Sequence, residues 1–364
     1  MATPVFKVKE VSKAYDRRIV LDDINLEINA GEIFGIIGAS GSGKTTLLNI
    51  LVGFLKSNTG EVLFRREHLL EHKDSQIFRS VHSHHEELKK VIGMASQTSS
   101  FYDNLSVKEN LLYFGTLYGL HRDTLKSNMI TLINLMDLQG AENRLAKNLS
   151  GGMQRRLDIA CALIHDPKIL ILDEPTADLD PLLRNHIWRL VRKINKRGTT
   201  IVLASHHLTE LENLCSRITI LKEGKILATG TPNEIKERFS KHEEIHLETF
   251  PGNYNLIADI EDKDIMKEIA QIEDRGTKLV IHTSKPELVL QELMKKLDKH
   301  KETIIDLKVT KPTLDEIFIL ITESAKDKEE EAEDDKELME EKTKLVEKMR
   351  KGAKKKSEDE KEEK

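Results

Sequence analysis

Eight consecutive residues, Gly38, Ala39, Ser40, Gly41, Ser42, Gly43, Lys44 and Thr45, limit what this chain can become more than any other stretch. An apolar run, Ile33-Phe34-Gly35-Ile36-Ile37, precedes them, and Thr46-Leu47-Leu48-Asn49-Ile50-Leu51 follows. A strand, a glycine-rich loop and a helix in that order are the context in which G-x-x-x-x-G-K-[ST] carries meaning. Glycines let successive backbone N–H groups face one concavity with no Cβ in the way. The helix adds its unpaired N–H groups and the positive end of its dipole, so phosphate is favoured there. Lys44 then reaches the β- and γ-phosphates, and the Thr45 hydroxyl is suited to Mg²⁺. Glycine-rich turns also serve close packing, but every position of this pattern is filled and both flanks are right. The chain binds a nucleoside triphosphate.

A second constellation lies further on. Ile169-Leu170-Ile171-Leu172 runs directly into Asp173-Glu174-Pro175-Thr176. Four consecutive apolar residues predict a strand buried on both faces, as in a parallel sheet. Two carboxylates at its C-terminal end stand where open α/β sheets place their ligands. Asp173 is suited to hold Mg²⁺ through water, and Glu174 to polarise an attacking water. Thr199 to Ser205 repeats the pattern, with His206 at the tip, either touching the γ-phosphate or capping the next helix. Beside two strand-end carboxylates the first role is the better reading; His207 gets only a structural one. Between these sites, Asn148-Leu149-Ser150-Gly151-Gly152-Met153-Gln154-Arg155-Arg156 opens a helical run to Ile164. Ser150 is a good N-cap and the paired glycines bare the backbone, giving a second helix start fit for an anion.

Composition excludes several classes. A net charge of −5 offers no basic footprint, so no nucleic-acid partner is expected. The two cysteines, Cys161 and Cys215, cannot build a disulfide framework, and both sit among apolar neighbours as inert buried thiols. Met1-Ala2-Thr3-Pro4 carries no signal segment, and no apolar run reaches the ~20 residues a bilayer-spanning helix needs. Any membrane role must come through a partner. The stretch from about 65 to 90 is rich in histidine: His68 and His72 at i,i+4 spacing, then His82, His84 and His85. No cysteine or well-placed carboxylate completes a ligand set, so a solvated amphipathic insertion is the default over a metal site. Tyr15, in a turn-like stretch, is either a half-exposed aromatic or a flat ring stacked on an adenine; the residues alone leave both open.

The predicted elements give an α/β chain. Val5 to Val8, Val20-Leu21 and Ile24 to Ile28 read as short strands of an antiparallel edge sheet. Apolar periodicity over about 98–165 predicts an inserted helical subdomain within a domain spanning 1–240. Residues 241–322 interleave strands and helices as a small α+β accessory domain, with capping boxes at Ser284–Glu287 and Thr313–Glu316. Residues 323–364 are almost wholly Lys, Glu and Asp, a tail that is disordered or at most a single charged helix.

Taken together, the phosphate loop, Gln97, Leu149-Ser150-Gly151-Gly152, Ile169 to Glu174 and His206 resemble the ATP-binding-cassette (ABC) ATPases over about residues 5–238. The resemblance implies a RecA-like P-loop core, ATP and Mg²⁺ as ligands, and two cassettes packed head to tail around two ATP molecules. Each ATP would touch the loop of one copy, Gly38 to Thr46, and Ser150, Gly151 and Gly152 of the other. By the same resemblance Tyr15 stacks on adenine and Gln97 senses Mg²⁺ and the transport subunit. Asp173 then binds the metal, Glu174 is the general base, Asp180 faces the partner's site and His206 is the switch histidine. Met153 stands where many signatures have glutamine, Asp178 where glycine is common, and the segment before Gln97 is about a dozen residues longer than usual. Leu117-Tyr118-Gly119-Leu120, the Leu-Ser-Gly-Gly-Met form and Pro312 to Phe318 resemble the ATPase subunits of ABC-2-like exporters. That implies a homodimer, or a heterodimer with a related cassette, docked beneath an integral-membrane permease on the cytoplasmic face of the membrane. A soluble, non-transport ABC ATPase is the alternative, but one cassette without a coiled-coil insertion or basic face speaks against it. A mere nucleotide-binding scaffold would be expected to have lost Lys44 or Glu174, and both are present.

Overall fold

The computed structural model describes residues 3–66, 77–177, 179–239, 242–252, 254 and 267–318. His68 and His72, Asp178 and the charged tail lie outside the described residues. The chain divides into two compact units, Met1–Arg238 and Phe239–Lys364.

The first unit is organised by a six-stranded sheet. Its strands are β3 (Ile33–Ile37), β6 (Ile92–Ala95), β7 (Ile169–Asp173), β8 (Thr200–Ser205), β9 (Arg217–Lys222) and β10 (Lys225–Gly230), in the order β10-β9-β3-β8-β7-β6. The pairs β9/β3, β3/β8, β8/β7 and β7/β6 are parallel; only the β9/β10 hairpin is antiparallel. Every residue of β3, β7 and β8 is buried, because helices and a second sheet cover the faces of this sheet, and this is why those strands read as unbroken apolar runs. Each buried Leu or Ile there contributes roughly 1.5–3 kcal/mol of apolar transfer. Parallel pairing also sends the C-terminal ends of β3, β6, β7 and β8 to one edge, so the loop at 38–45, Gln97, Asp173-Glu174 and His206 leave the sheet on the same side.

Against this sheet packs an antiparallel one, β2-β1-β4-β5, built from β1 (Pro4–Tyr15), β2 (Arg18–Asn29), β4 (Thr59–Arg65) and β5 (Phe78–Ser80). Phe6, Val8, Leu21, Ile24, Val62 and Phe64 join Phe34, Leu47 and Ile171 in one apolar core. The several short strands expected before residue 30 are in fact two strands of 12 residues each. Alternation is interrupted at Glu10 and Asp23, where φ of 50° and 49° and shifts in register absorb residues that cannot point inward.

Three helices follow β6: α3 (Val107–Leu117), α4 (Arg122–Leu135) and α5 (Gly151–Leu163). A full capping box opens α3: the Ser106 hydroxyl accepts from Glu109 N while the Glu109 carboxylate accepts from Ser106 N at 2.8 Å. The other helices of this unit are α1 (Lys44–Leu51), α2 (His85–Val91), α6 (Pro181–Asn195), α7 (Leu208–Leu214) and α8 (Pro232–Phe239). Among the described residues no group of three His, Cys, Asp or Glu side chains is placed to hold a metal ion, and no helix is long and apolar enough to cross a membrane. Cys161 and Cys215 are both buried, and burial pushes both thiols up, away from the reactive thiolate.

The second unit is an antiparallel sheet, β12-β13-β11-β14, made of β11 (Glu243–Phe250), β12 (Ile269–Asp274), β13 (Leu279–Thr283) and β14 (Thr303–Thr310). Helix α9 (Pro286–His300) lays Val289, Leu293 and Leu297 on Ile245, Leu247, Leu279 and Ile281. Strand β12 shows no regular apolar alternation, and its residues are exposed or half-buried. The box expected at Ser284 does not form. Pro286 takes the first helical turn and makes Lys285 the N-cap, while the Ser284 hydroxyl donates to Glu268 at 2.7 Å. The box at Thr313 does form, with Glu316 accepting from Thr313 N at 2.7 Å and Thr313 accepting from Glu316 N at 3.3 Å.

Candidate active site

The loop after β3 is held open by its glycines. At Gly43 φ is +105°, and a Cβ there would lie 2.8 Å from the Val20 carbonyl oxygen. At Gly38 a Cβ would lie 2.3 Å from Leu221 O and 2.4 Å from the Ser42 hydroxyl. Helix α1 therefore starts from a left-handed Gly43 with no side-chain cap, leaving its first N–H groups bare. Ser42 Oγ is buried without a partner at this start. Lys44, 7 % exposed, donates to the carbonyls of Gly38 (2.8 Å) and Ala39 (3.1 Å) and lies 3.7 Å from Glu174. Burial pulls its ammonium below the ordinary lysine value, while Glu174 and Asp173 push it back up.

Two strands away, β7 delivers Asp173 and Glu174. The Thr45 hydroxyl donates to Asp173 Oδ2 at 2.8 Å, and Asp173 Oδ1 is buried with no partner. Burial raises the Asp173 carboxyl, opposed first by the Thr45 hydrogen bond. Glu174 sits at φ +45°, a left-handed conformation unusual for a residue with a Cβ, and its N–H donates to Ala204 O at 2.9 Å. That turn aims one carboxylate oxygen at Lys44 and the other at His206 Nδ1, 3.0 Å away. His206 does not cap the next helix. His207 occupies the N-cap of α7, with its ring packed on that of His206.

The remaining sequence-derived residues fall into two groups. Gln97 leaves the C-terminal end of β6 exposed at the same sheet edge, and Tyr15 ends β1, 47 % exposed, with Lys13 Nζ 5.3 Å from its ring centre. The partner of Tyr15 across the hairpin is Arg18, two residues before the Val20 carbonyl that abuts Gly43. Ser150, Gly151 and Gly152 instead open α5. Ser150 Oγ accepts from Met153 N at 3.4 Å, and nothing lies within 4 Å of where a Gly151 Cβ would stand. Asp180 caps α6, accepting from Leu182 N (2.9 Å) and Leu183 N (3.0 Å). None of the polar contacts of Ser150 or Asp180 goes to Lys44, Asp173 or Glu174.

Two functional-site residues carry no assignment from sequence. Arg155, 8 % exposed, donates from Nε to Pro175 O (3.0 Å), from Nη2 to Asp173 O (2.9 Å), and from Nη1 to Ser96 O (2.7 Å) and Asp158 Oδ2 (3.1 Å). Asp158 Oδ1 accepts from Ser100 N at 2.8 Å. The one signal in the sequence is an Arg and an Asp at i,i+3 in a helix whose later residues, Ile159 to Leu163, are all apolar.

A family model described as "ABC transporter" matches residues 21–177, and one described as "ATP-binding protein DrrA1-3-like, C-terminal domain" matches residues 230–322. The Nod factor export ATP-binding protein I of Rhizobium sp. (strain N33) is 30 % identical over 318 residues, 87 % of this chain and 97 % of that relative. This chain belongs to the ABC transporter ATP-binding proteins. The linearmycin resistance ATP-binding protein LnrL of Bacillus subtilis (strain 168) is 27 % identical over 318 residues, covering 98 % of its length. Among solved structures, CbiO1 of Clostridium perfringens, part of the ABC transporter complex CbiONQ, superposes with a TM-score of 0.56 at 28 % identity, over 64 % of this chain and 90 % of that one. The ADP conformation of MJ1267, an ATP-binding cassette of an ABC transporter, does so with a TM-score of 0.53 at 26 % identity, over 64 % and 92 %. The ABC cassette described here is an α/β P-loop ATPase whose ATP hydrolysis is coupled to transport.

Proposed function

We propose that this cassette closes on ATP as a pair of copies, cleaves it with Glu174 as general base, and so drives a separate membrane permease in export. The observation that carries the reading is the Glu174 turn. A left-handed backbone holds its carboxylate between Lys44 and His206 at the tip of a buried strand, beside a glycine-rich helix start. Glu174 takes the proton of the attacking water, His206 orients it by hydrogen bond, and Lys44 meets the charge that develops on the leaving oxygens. Thr45 and Asp173 fit Mg²⁺. A hard cation takes oxygen ligands, and the buried unpartnered Oδ1 of Asp173 beside the Thr45 hydroxyl supplies them. Mg²⁺ bound there would neutralise phosphate charge. Gln97 lies at the same edge to sense it, and Tyr15 to stack on adenine.

Pairing of copies is supported by the two helix starts. The first turn of α5 has its own N–H groups but neither a cation nor a carboxylate among its residues, so it completes a site only with a nucleotide carried by another chain. Asp180 caps α6 with one carboxylate oxygen and uses the loop before it to face that partner. Export is supported by the relatives named for Nod factor export, and a permease partner by the lack, among the described residues, of any helix able to cross a membrane. Such a subunit works at the cytoplasmic face of the membrane.

Glu174→Gln tests this directly. The variant binds ATP, loses at least ~10³-fold in turnover, and accumulates as an ATP-dependent dimer. Size-exclusion chromatography with saturating Mg-ATP reads the dimer. A Glu174→Gln protein that stays monomeric, or that still releases phosphate, sinks the reading.

A further inference from the structure

Buried arginines are uncommon, and one that spends its hydrogen bonds on main-chain carbonyls is fixing backbone. Three of the four Arg155 bonds go to carbonyl oxygens, and each belongs to a residue beside a functional one. Asp173 and Pro175 flank Glu174 on either side. Ser96 directly precedes Gln97, and Asp158 grips the same loop again at Ser100 N. The strained φ of Glu174 needs surroundings that over-determine it, and the planar guanidinium fork supplies two fixed points, one on each side of the turn. Both residues ride on α5, whose first residue, Gly151, lies four positions before Arg155 and seven before Asp158, fewer than two turns away.

We propose that Arg155 and Asp158 are positioning residues that couple the α5 start, offered to a second copy's nucleotide, to the Glu174 turn and the Gln97 loop of their own chain. The inference rests on the reading of Glu174 as base and of α5 as the partner-facing element. Its consequence is specific. Engagement of α5 by one nucleotide sets the cleavage geometry at the other, so the two sites turn over cooperatively. A pair placed for stability alone has no reason to end on the carbonyls around Glu174 and Gln97. An apolar pair of similar volume stabilises a core as well or better.

The test compares full-length wild type, Arg155→Lys, the double variant Arg155→Met/Asp158→Leu, and Glu174→Gln. Equilibrium ATP binding, thermal melting and phosphate release against ATP concentration are measured for each. Lysine keeps the charge beside Asp158 but, as a point donor, cannot span three carbonyls. We expect Arg155→Lys to bind ATP within about twofold of wild type and melt alongside it, while kcat falls at least ~10-fold and the Hill coefficient drops to about 1. The double variant removes both charges, so no uncompensated buried ion is left, and it shows the same split. Wild-type turnover and cooperativity in either variant overturn the proposal, as does a parallel fall of affinity, turnover and melting temperature in both. The two readings separate cleanly. Continued hydrolysis by Glu174→Gln overturns the base assignment, whereas an inactive Glu174→Gln beside a fully active Arg155→Lys overturns the clasp alone.

Discussion

Helices α1 and α5 both begin at glycine-rich turns within one cassette, yet their surroundings are opposite. The α1 start has no side-chain cap and is ringed by Lys44, Asp173 and Glu174, all buried. The α5 start has a serine cap at a long 3.4 Å, an exposed Gly151, and neither cation nor carboxylate in its first turn. Helix α3 marks the structural extreme, with a complete capping box and nothing left to offer an anion. A bare helix end is therefore not a site by itself. What surrounds it decides whether it is a whole site, half of one, or only an end.

The largest effect that can break this comparison is complementation. Lys44→Ala loses its own nucleotide and Ser150→Arg spoils the surface offered to another copy. Each alone falls at least ~10³-fold in turnover, while an equimolar mixture regains measurable turnover, at most about a quarter of wild-type activity, through dimers holding one intact composite site. A mixture as silent as its components shows that α5 serves no second copy.

The far end of α5 predicts a pH effect. His165 stacks on Tyr118 with ring centres 3.7 Å apart, donates from Nε2 to Ile92 O at 3.0 Å, and is pulled down to about 4 by burial. Its ordinary value is 6.5, so the unfolded chain binds the proton first as pH falls. Stability from this group is complete above pH 6.5 and lost progressively toward pH 4, by up to about 3 kcal/mol. Urea melts at pH 7, 5.5 and 4.5 measure it, and His165→Asn flattens that slope while leaving the ATP affinity of α1 intact.

Thr45→Ala sharpens the α1 side. Removing the hydroxyl beside Asp173 leaves the loop able to bind ATP but raises the Mg²⁺ concentration for half-maximal turnover about tenfold. An unchanged Mg²⁺ titration would remove Thr45 from the metal site. The smallest effect is at α3. Ser106→Ala costs about 1 kcal/mol of stability, read as a lower melting temperature, with turnover per folded molecule unchanged.

Local chemistry made part of this site legible. The loop at 38–45 is eight residues of one motif, and Asp173-Glu174 end a run that only a buried strand explains. Arg155 was not legible, because its acceptors at Ser96, Asp173 and Pro175 are brought to it by two different strands. The long β1 and β2 were read short because Glu10 and Asp23 break alternation, which bulges then absorb. Ser284 looked like a cap until Pro286 fixed the helical start one residue later and Glu268 claimed its hydroxyl. Tyr15 stayed undecided in sequence because only the hairpin carries it toward Gly43.

The residues alone determined that a triphosphate is bound, which strand ends carry the acids, and where two glycine-rich helix starts lie, since each depends on neighbours a few positions apart. Tertiary structure decided the rest. The sheet order β3-β8-β7-β6 brings Lys44, Glu174, His206 and Gln97 to one edge, and the buried clasp on α5 holds the carbonyls beside two of them. These placements depend on long-range strand pairing and on burial, and neither is written in a short window of sequence.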